Sequence, residues 1–141
     1  EIVFHKVTQK PGKPLLFAIL PNGTLYFGLP GNPVSTVVNC RFYVHHALSV
    51  MLQRPHETAL ELRLENDVET PEGMAVFLKA RCIRGQDGVV VRALEGQESF
   101  QTMPLLEMNG WIVLGEQSGS KRAGDLVSFY PSSPHGLPDI F

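Results

Sequence analysis

The segment Leu29-Pro30-Gly31-Asn32-Pro33 constrains this chain more than any other stretch. Asn32 is a favoured N-cap, Pro33 has its φ pre-set for the first helical position, and no Pro or Gly follows for about twenty residues. The spacing therefore predicts a helix running to about Gln53. Projected on a 3.6-residue period, Ser35, Asn39, His46, Ser49 and Gln53 form a narrow polar stripe, with Arg41 and His45 to one side of it. Val34, Val37, Val38, Phe42, Val44, Leu48, Met51 and Leu52 cover most of the remaining circumference. A helix apolar on that many sides packs against more than one neighbour.

Upstream of it, strands alternate with turns. Residues 1–8 are β-rich, Lys10-Pro11-Gly12-Lys13-Pro14 is a turn, and residues 15–20 and 24–29 read as strands joined by Pro21-Asn22-Gly23. Strand, turn and helix of this kind belong to an α/β layer. Residues 1–53 supply only about three strands and one helix, too little for a complete doubly wound domain. Arg54-Pro55-His56 ends the helix and marks a boundary. Residues 54–141 read as all-β, with alternation through 59–65 and 75–83 and a Gly85-Gln86-Asp87-Gly88 hairpin turn into 89–94. Further strands are expected at 111–114 and 126–130, and a poorly ordered tail from Pro131. The expected fold is an α/β fragment, strand hairpins plus one long helix, followed by a small all-β barrel. The expected units are 1–53 and 54–141.

Charge narrows the class of partner. The 141 residues carry a formal charge of −2, so a phosphate-tracking nucleic-acid binder is disfavoured. The charge divides unevenly, +3 over residues 1–53 and −5 over 54–141. Lys6, Lys10 and Lys13 fall within eight positions, which suits a small anion better than a polymer. No apolar run approaches the ~20 residues that cross a bilayer, so no membrane partner is expected. No basic stretch followed by an apolar one opens the chain, so no signal peptide is expected. The chain starts at Glu1 without a Met, which leaves a fragment and a natural short chain both open. Cys40 and Cys82 lack Cys-x-x-Cys spacing and are expected as reduced, buried thiols of a cytoplasmic protein.

The chemistry gathers in two turns. The first turn of a helix leaves N–H groups unpaired and carries partial positive charge, which favours an anion at Pro30-Gly31-Asn32-Pro33. Gly31 lets a ligand approach the backbone, and Ser35 adds a hydroxyl. Lys6 and Lys10, an even number apart, share a face if the segment is extended, and Lys10 and Lys13 bracket the Pro-Gly turn. A strand pair joins the two turns and lets both lie at one end of a sheet. Loss of Lys79, in the barrel, is expected to leave affinity and turnover almost unchanged, and loss of the Asn32 cap is expected to cost ~1 kcal/mol.

Lys10-Pro11-Gly12-Lys13-Pro14, a hairpin, and then Gly28-Leu29-Pro30-Gly31-Asn32-Pro33-Val34-Ser35 resembles the C-terminal half of MoeA-type molybdopterin molybdenumtransferases, including the gephyrin E domain. The resemblance is carried by residues 1–53, which would be the second half of the molybdopterin-binding domain. Over 54–141 the family has a small β-barrel domain. The resemblance implies a transferase that inserts molybdate into adenylylated molybdopterin, releases AMP, uses a divalent metal such as magnesium, and builds its cleft in a homodimer. It implies catalytic roles for Lys6 and Lys10, and substrate binding by Lys13, Pro30, Gly31, Asn32, Pro33 and Ser35. The family's metal-binding carboxylates lie in parts that have no counterpart here, so no metal ligand is assigned, and this chain alone is expected to be inert. Where the family carries a Gly-Ser-His stretch, residues 97–104 offer Ser99 as the counterpart. The alternative is a non-catalytic module that uses the barrel to bind protein partners.

Other signals are ordinary. His45 and His46 point about 100° apart on a helix, poor geometry for a metal, and His5, His56 and His135 are scattered. Glu61, Glu65 and Glu69 read as a solvated strand face, and Trp111 as a core or interface residue.

Overall fold

The structure is a computed structural model that describes residues 1–85, 88–134 and 136. Gln86 and Asp87 of the expected hairpin turn, and His135, lie outside the described residues. Strands β1 (Ile2–His5), β3 (Leu16–Ile19) and β4 (Leu25–Gly28) form an antiparallel sheet in the order β1-β3-β4. The 21–24 turn is closed by Asn22, whose Oδ1 accepts from the Thr24 N–H at 3.1 Å.

The helix comes next, as one rod with a defect in its middle. α1 (Pro33–Asn39) passes into a π-helical turn (Cys40–Val44) and then α2 (His45–Met51). A π turn inserts a residue into the hydrogen-bond ladder and rotates the rest of the rod by roughly 100°. The polar stripe expected from a uniform 3.6 period therefore does not stay on one side. Ser35 and Asn39 are buried, whereas His46 is exposed. The rod ends where Gln53 takes φ 52°, just ahead of Pro55.

Strands β5 (Leu60–Leu64), β6 (Ala75–Gly85), β7 (Gly88–Ala93), β8 (Gly110–Leu114) and β9 (Leu126–Pro131) close a five-stranded barrel in the order β6-β7-β5-β9-β8, with β8 returning to β6. A short helix, α3 (Pro104–Glu107), precedes β8. Alternation along β6 sends Val76, Leu78, Ala80 and Cys82 into the barrel, where they meet Leu64, Val91, Ile112, Leu114, Val127 and Phe129. Each large side chain of this core contributes ~1.5–3 kcal/mol by leaving water. Gly110 is required here, because a Cβ would stand 2.1 Å from the Phe129 ring. Pro131, expected to open the disordered tail, is instead buried as the last residue of β9.

Segments 1–53 and 54–141 are in close contact. β2 (Gln9–Lys10) pairs in parallel with the start of β6, Gln9 opposite Ala75 and Lys10 opposite Val76. Val34 and Val38 pack on Phe77 and Trp111, on the outer face of the barrel. The Arg41 guanidinium grips Glu57 through two bonds, 2.6 and 2.9 Å, and also donates to the carbonyls of Pro131 and Ser132. Cys82 is buried, and burial pushes its thiol pKa up. Cys40, expected to be buried, is exposed, because it opens the π turn on the side away from the barrel contacts.

Candidate functional site

The lysine turn is built on buried amides. Gln9 Nε2 donates to the Pro11 carbonyl and to Asn39 Oδ1, both at 2.9 Å. Asn39 Nδ2 donates to the Gly12 carbonyl at 3.0 Å, and the Tyr43 hydroxyl donates to Gln9 Oε1. Partial burial raises the Tyr43 pKa. Gly12 sits at φ 95° with a would-be Cβ 2.6 Å from Asn39 Oδ1, so both conformation and space demand glycine. The helix thus fixes the backbone of residues 9–12 and leaves Lys10 and Lys13 exposed to solvent. Lys10 obeys a different logic from Lys6. Lys6 is exposed at φ 67°, and its N–H donates to the Leu15 carbonyl at 2.8 Å. That left-handed residue interrupts the extended run, so alternation cannot be counted through it to place Lys6 and Lys10 on one face. Val7 N–H donates to the Lys13 carbonyl, which puts Lys6 and Lys13 on paired backbone segments.

The second turn enters α1 as expected, with Asn32 at the N-cap in extended geometry, yet the Asn32 side chain makes no capping bond. The Thr36 hydroxyl instead donates to the carbonyls of Pro30, at 2.5 Å, and Asn32, at 3.1 Å. Gly31, Asn32 and Pro33 are exposed, and Pro30 is half-buried. Nothing lies within 4 Å of a Cβ built at Gly31. Ser35 is 4% exposed and lies below this surface.

What joins the two turns is the barrel loop between β7 and α3. Asn32 Nδ2 donates to Ser99 Oγ at 3.2 Å, and Lys10 Nζ stands 3.8 Å from the carboxylate of the preceding residue, Glu98. Lys10 and Asn32 therefore meet adjacent residues of one loop. The ion pair is exposed on both sides and contributes little to stability; its value is positional.

That loop is held by a residue whose role is not legible in the sequence. Lys79 is 1% exposed, and its Nζ donates to the carbonyls of Gly96 (2.5 Å), Glu98 (3.2 Å) and Gln101 (3.0 Å). An ammonium has three donors, and all three are used. Gln97 completes the clamp: its side chain accepts from Lys79 N–H and donates to Lys79 O, both at 2.9 Å. Desolvation holds the Lys79 pKa below the ordinary lysine value, with the Glu98 charge opposing it. Lys79 is therefore a buried structural cation and not the solvated barrel lysine that a neutral control requires. Its parity in β6 does point it out of the barrel, but the 96–101 loop folds over that face. The signal available was the apolar setting, Val76-Phe77-Leu78 before it and Ala80 after it.

No family model matches the chain. A molybdopterin molybdenumtransferase of Synechococcus elongatus is 35% identical over 115 residues, covering 81% of this chain and 28% of that protein. The gephyrin of Dictyostelium discoideum is 30% identical, covering 88% of this chain and 21% of its own length. The crystal structure of the molybdopterin biosynthesis MoeA protein from Pyrococcus horikoshii OT3 matches with TM-score 0.76 at 27% identity, over 92% of this chain and 32% of that one. Homology and fold place the chain in the MoeA-type molybdopterin molybdenumtransferase family, over part of its relatives' length. This MoeA-type segment spans a third or less of the curated relatives it matches.

Magnesium, implied by that family, does not fit the residues present. It asks for carboxylate or phosphate oxygens in octahedral array. The charged side chains of residues 6–14 are Lys6, Lys10 and Lys13, the 30–33 turn has none, and the Glu98 carboxylate faces Lys10. Among the described residues no group of three or more His, Cys, Asp or Glu is placed to hold a metal.

Proposed function

We propose that this chain supplies one wall of the active site of a molybdenumtransferase, which inserts molybdate into adenylylated molybdopterin with release of AMP. The observation that carries the reading is the meeting of Lys10 and Asn32 on Glu98 and Ser99. Lys10 and Lys6 would act as catalytic residues that stabilise developing negative charge, because fixed cations act most strongly there once the rest of the active site shields them from water. Lys13, Pro30, Gly31, Asn32 and Pro33 would bind substrate, with Ser35 beneath them. Lys79 would act through the loop as a positioning residue. The division into a partial molybdopterin-binding unit, 1–53, and a barrel, 54–141, belongs to the same reading, as does a cytoplasmic location. The magnesium ligands would come from outside the residues described.

The helix adds a partner to this reading. Leu48, Val50, Met51 and Leu52 are exposed on α2 and just after it, and a second copy of the chain would cover them in a homodimer. Light scattering on the full-length protein checks that point, and a monomer at high concentration would refute it.

The experiment for the activity is an assay of the isolated 141-residue chain and of the full-length protein, with adenylylated molybdopterin and molybdate. The chain alone should be inert and the full-length protein should release AMP. Turnover by the chain alone would refute the one-wall reading. A full-length protein with no turnover would favour the alternative, a non-catalytic module that binds protein partners through its barrel.

A further inference from the structure

We propose that the hollow between the second half of the helical rod and the barrel is a binding site for a small organic oxyanion, a carboxylate or phosphate carried on a flat apolar body. The hollow has a volume of about 370 Å³, within the range of small-molecule pockets. Its floor is aromatic: Phe42 lies 4.7 Å from Phe77 and 5.6 Å from Tyr130, centroid to centroid.

The charge on its walls is one-sided. Glu57 is the one carboxylate among the described residues that line it, and Arg41 neutralises it through two bonds. Arg54 also lines the hollow, and its guanidinium has no ion pair or hydrogen bond among the described residues. His46 stacks on His56 at 5.6 Å, which ties the segment carrying Arg54 back to α2. One uncommitted guanidinium therefore faces an apolar floor.

His45 and Ser49 line the same wall. The His45 Nδ1 is closed to solvent and has no hydrogen-bond partner, so it lies behind the wall and does not meet a ligand. The Ser49 hydroxyl supplies a neutral donor. A cation, a neutral donor and a flat apolar floor select an anionic head on a planar body. None of Lys10, Asn32 or Ser99 lines this hollow, so the site stands apart from the proposed transferase chemistry.

The test is calorimetric titration of the full-length protein with phenyl phosphate, benzoate and benzyl alcohol. At least one anion should bind, and the neutral alcohol about tenfold more weakly or not at all. The ratio between the two anions distinguishes a phosphate head from a carboxylate. Arg54→Gln should weaken the preferred anion about tenfold, and Arg54 is exposed, so its replacement leaves the fold intact. Lys10→Ala should leave this binding unchanged. Equal binding of the alcohol, an unaffected Arg54→Gln variant, no binding of either anion, or loss of binding in Lys10→Ala would overturn the assignment.

Discussion

Asn32 Nδ2 donates to Ser99 Oγ at 3.2 Å, across 67 positions of sequence. This bond brings a helix start from the first third of the chain onto a loop of the barrel. Beside it, Lys10 faces Glu98, so the proposed site is assembled from both segments.

Lys10→Ala in the full-length enzyme should weaken substrate affinity or turnover by roughly ten- to hundredfold, since a shielded charge-assisted contact contributes ~1.5–3 kcal/mol. Arg84→Ala, at an exposed cation on the far end of β6, is the matched control and should change neither. The effect should shrink as salt is raised, because screening weakens an anion site. Equal losses from both variants in steady-state kinetics would mean that only general charge matters.

Lys79 cannot serve as such a control, because it is buried and fully bonded. Lys79→Met leaves three loop carbonyls without their donor and should cost ~2–4 kcal/mol, with a fall in Tm. Lys79→Arg keeps the charge but not the compact three-donor geometry, and should rescue only part of the loss. A thermal melt of Lys79→Met that overlays the wild type would show that the loop does not depend on the clamp.

Asn32→Ala should cost only a few tenths of a kcal/mol in stability, not the ~1 kcal/mol of a lost cap, because the Asn32 side chain makes no capping bond. Thr36→Val should cost ~1 kcal/mol, since the Thr36 hydroxyl serves the two carbonyls at the helix start. Denaturant melts that reversed this order would restore Asn32 as the cap.

Asp67 gives a sign to the acid side of the stability curve. The Ala123 N–H and the Arg122 guanidinium hold its carboxyl below the usual carboxylate pKa. The unfolded chain therefore binds the proton more readily, and stability rises with pH across that window. The contribution is complete above the ordinary Asp value near ~3.9 and is lost as pH falls through the lower folded value. Asp67→Asn should flatten this part of the profile, and Tm measured from pH 6 downward in both proteins (roughly one reading per half unit) would reveal an unchanged slope if the pairing is inert.

Much of the secondary structure was legible because its signals are local. Alternation at 59–65, 75–83 and 89–94 and the Pro-Gly-Asn-Pro entry to the helix each arise from residues close in sequence, and each became the element expected. The π turn at Cys40–Val44 was not legible, since a uniform period assumes an unbroken ladder and the defect falls where Arg41 and Phe42 meet residues distant in sequence. The exposure of Cys40 escaped for the same reason, because an apolar neighbourhood in sequence does not say which side of the rod meets the barrel.

The sequence by itself determined the strand and turn pattern, the helix start and the gathering of lysines in residues 6–13, since backbone propensity and charge are carried by single residues. Only the tertiary structure decided that Gln9, Asn39 and Tyr43 fix the lysine turn, that Lys79 is a buried clamp rather than a solvated charge, and that Ser99 reaches Asn32. Those relations depend on which surface folds over which, and strand parity alone cannot report that. An outward-facing lysine is exposed or sealed according to a loop that begins about seventeen residues later, at Gly96.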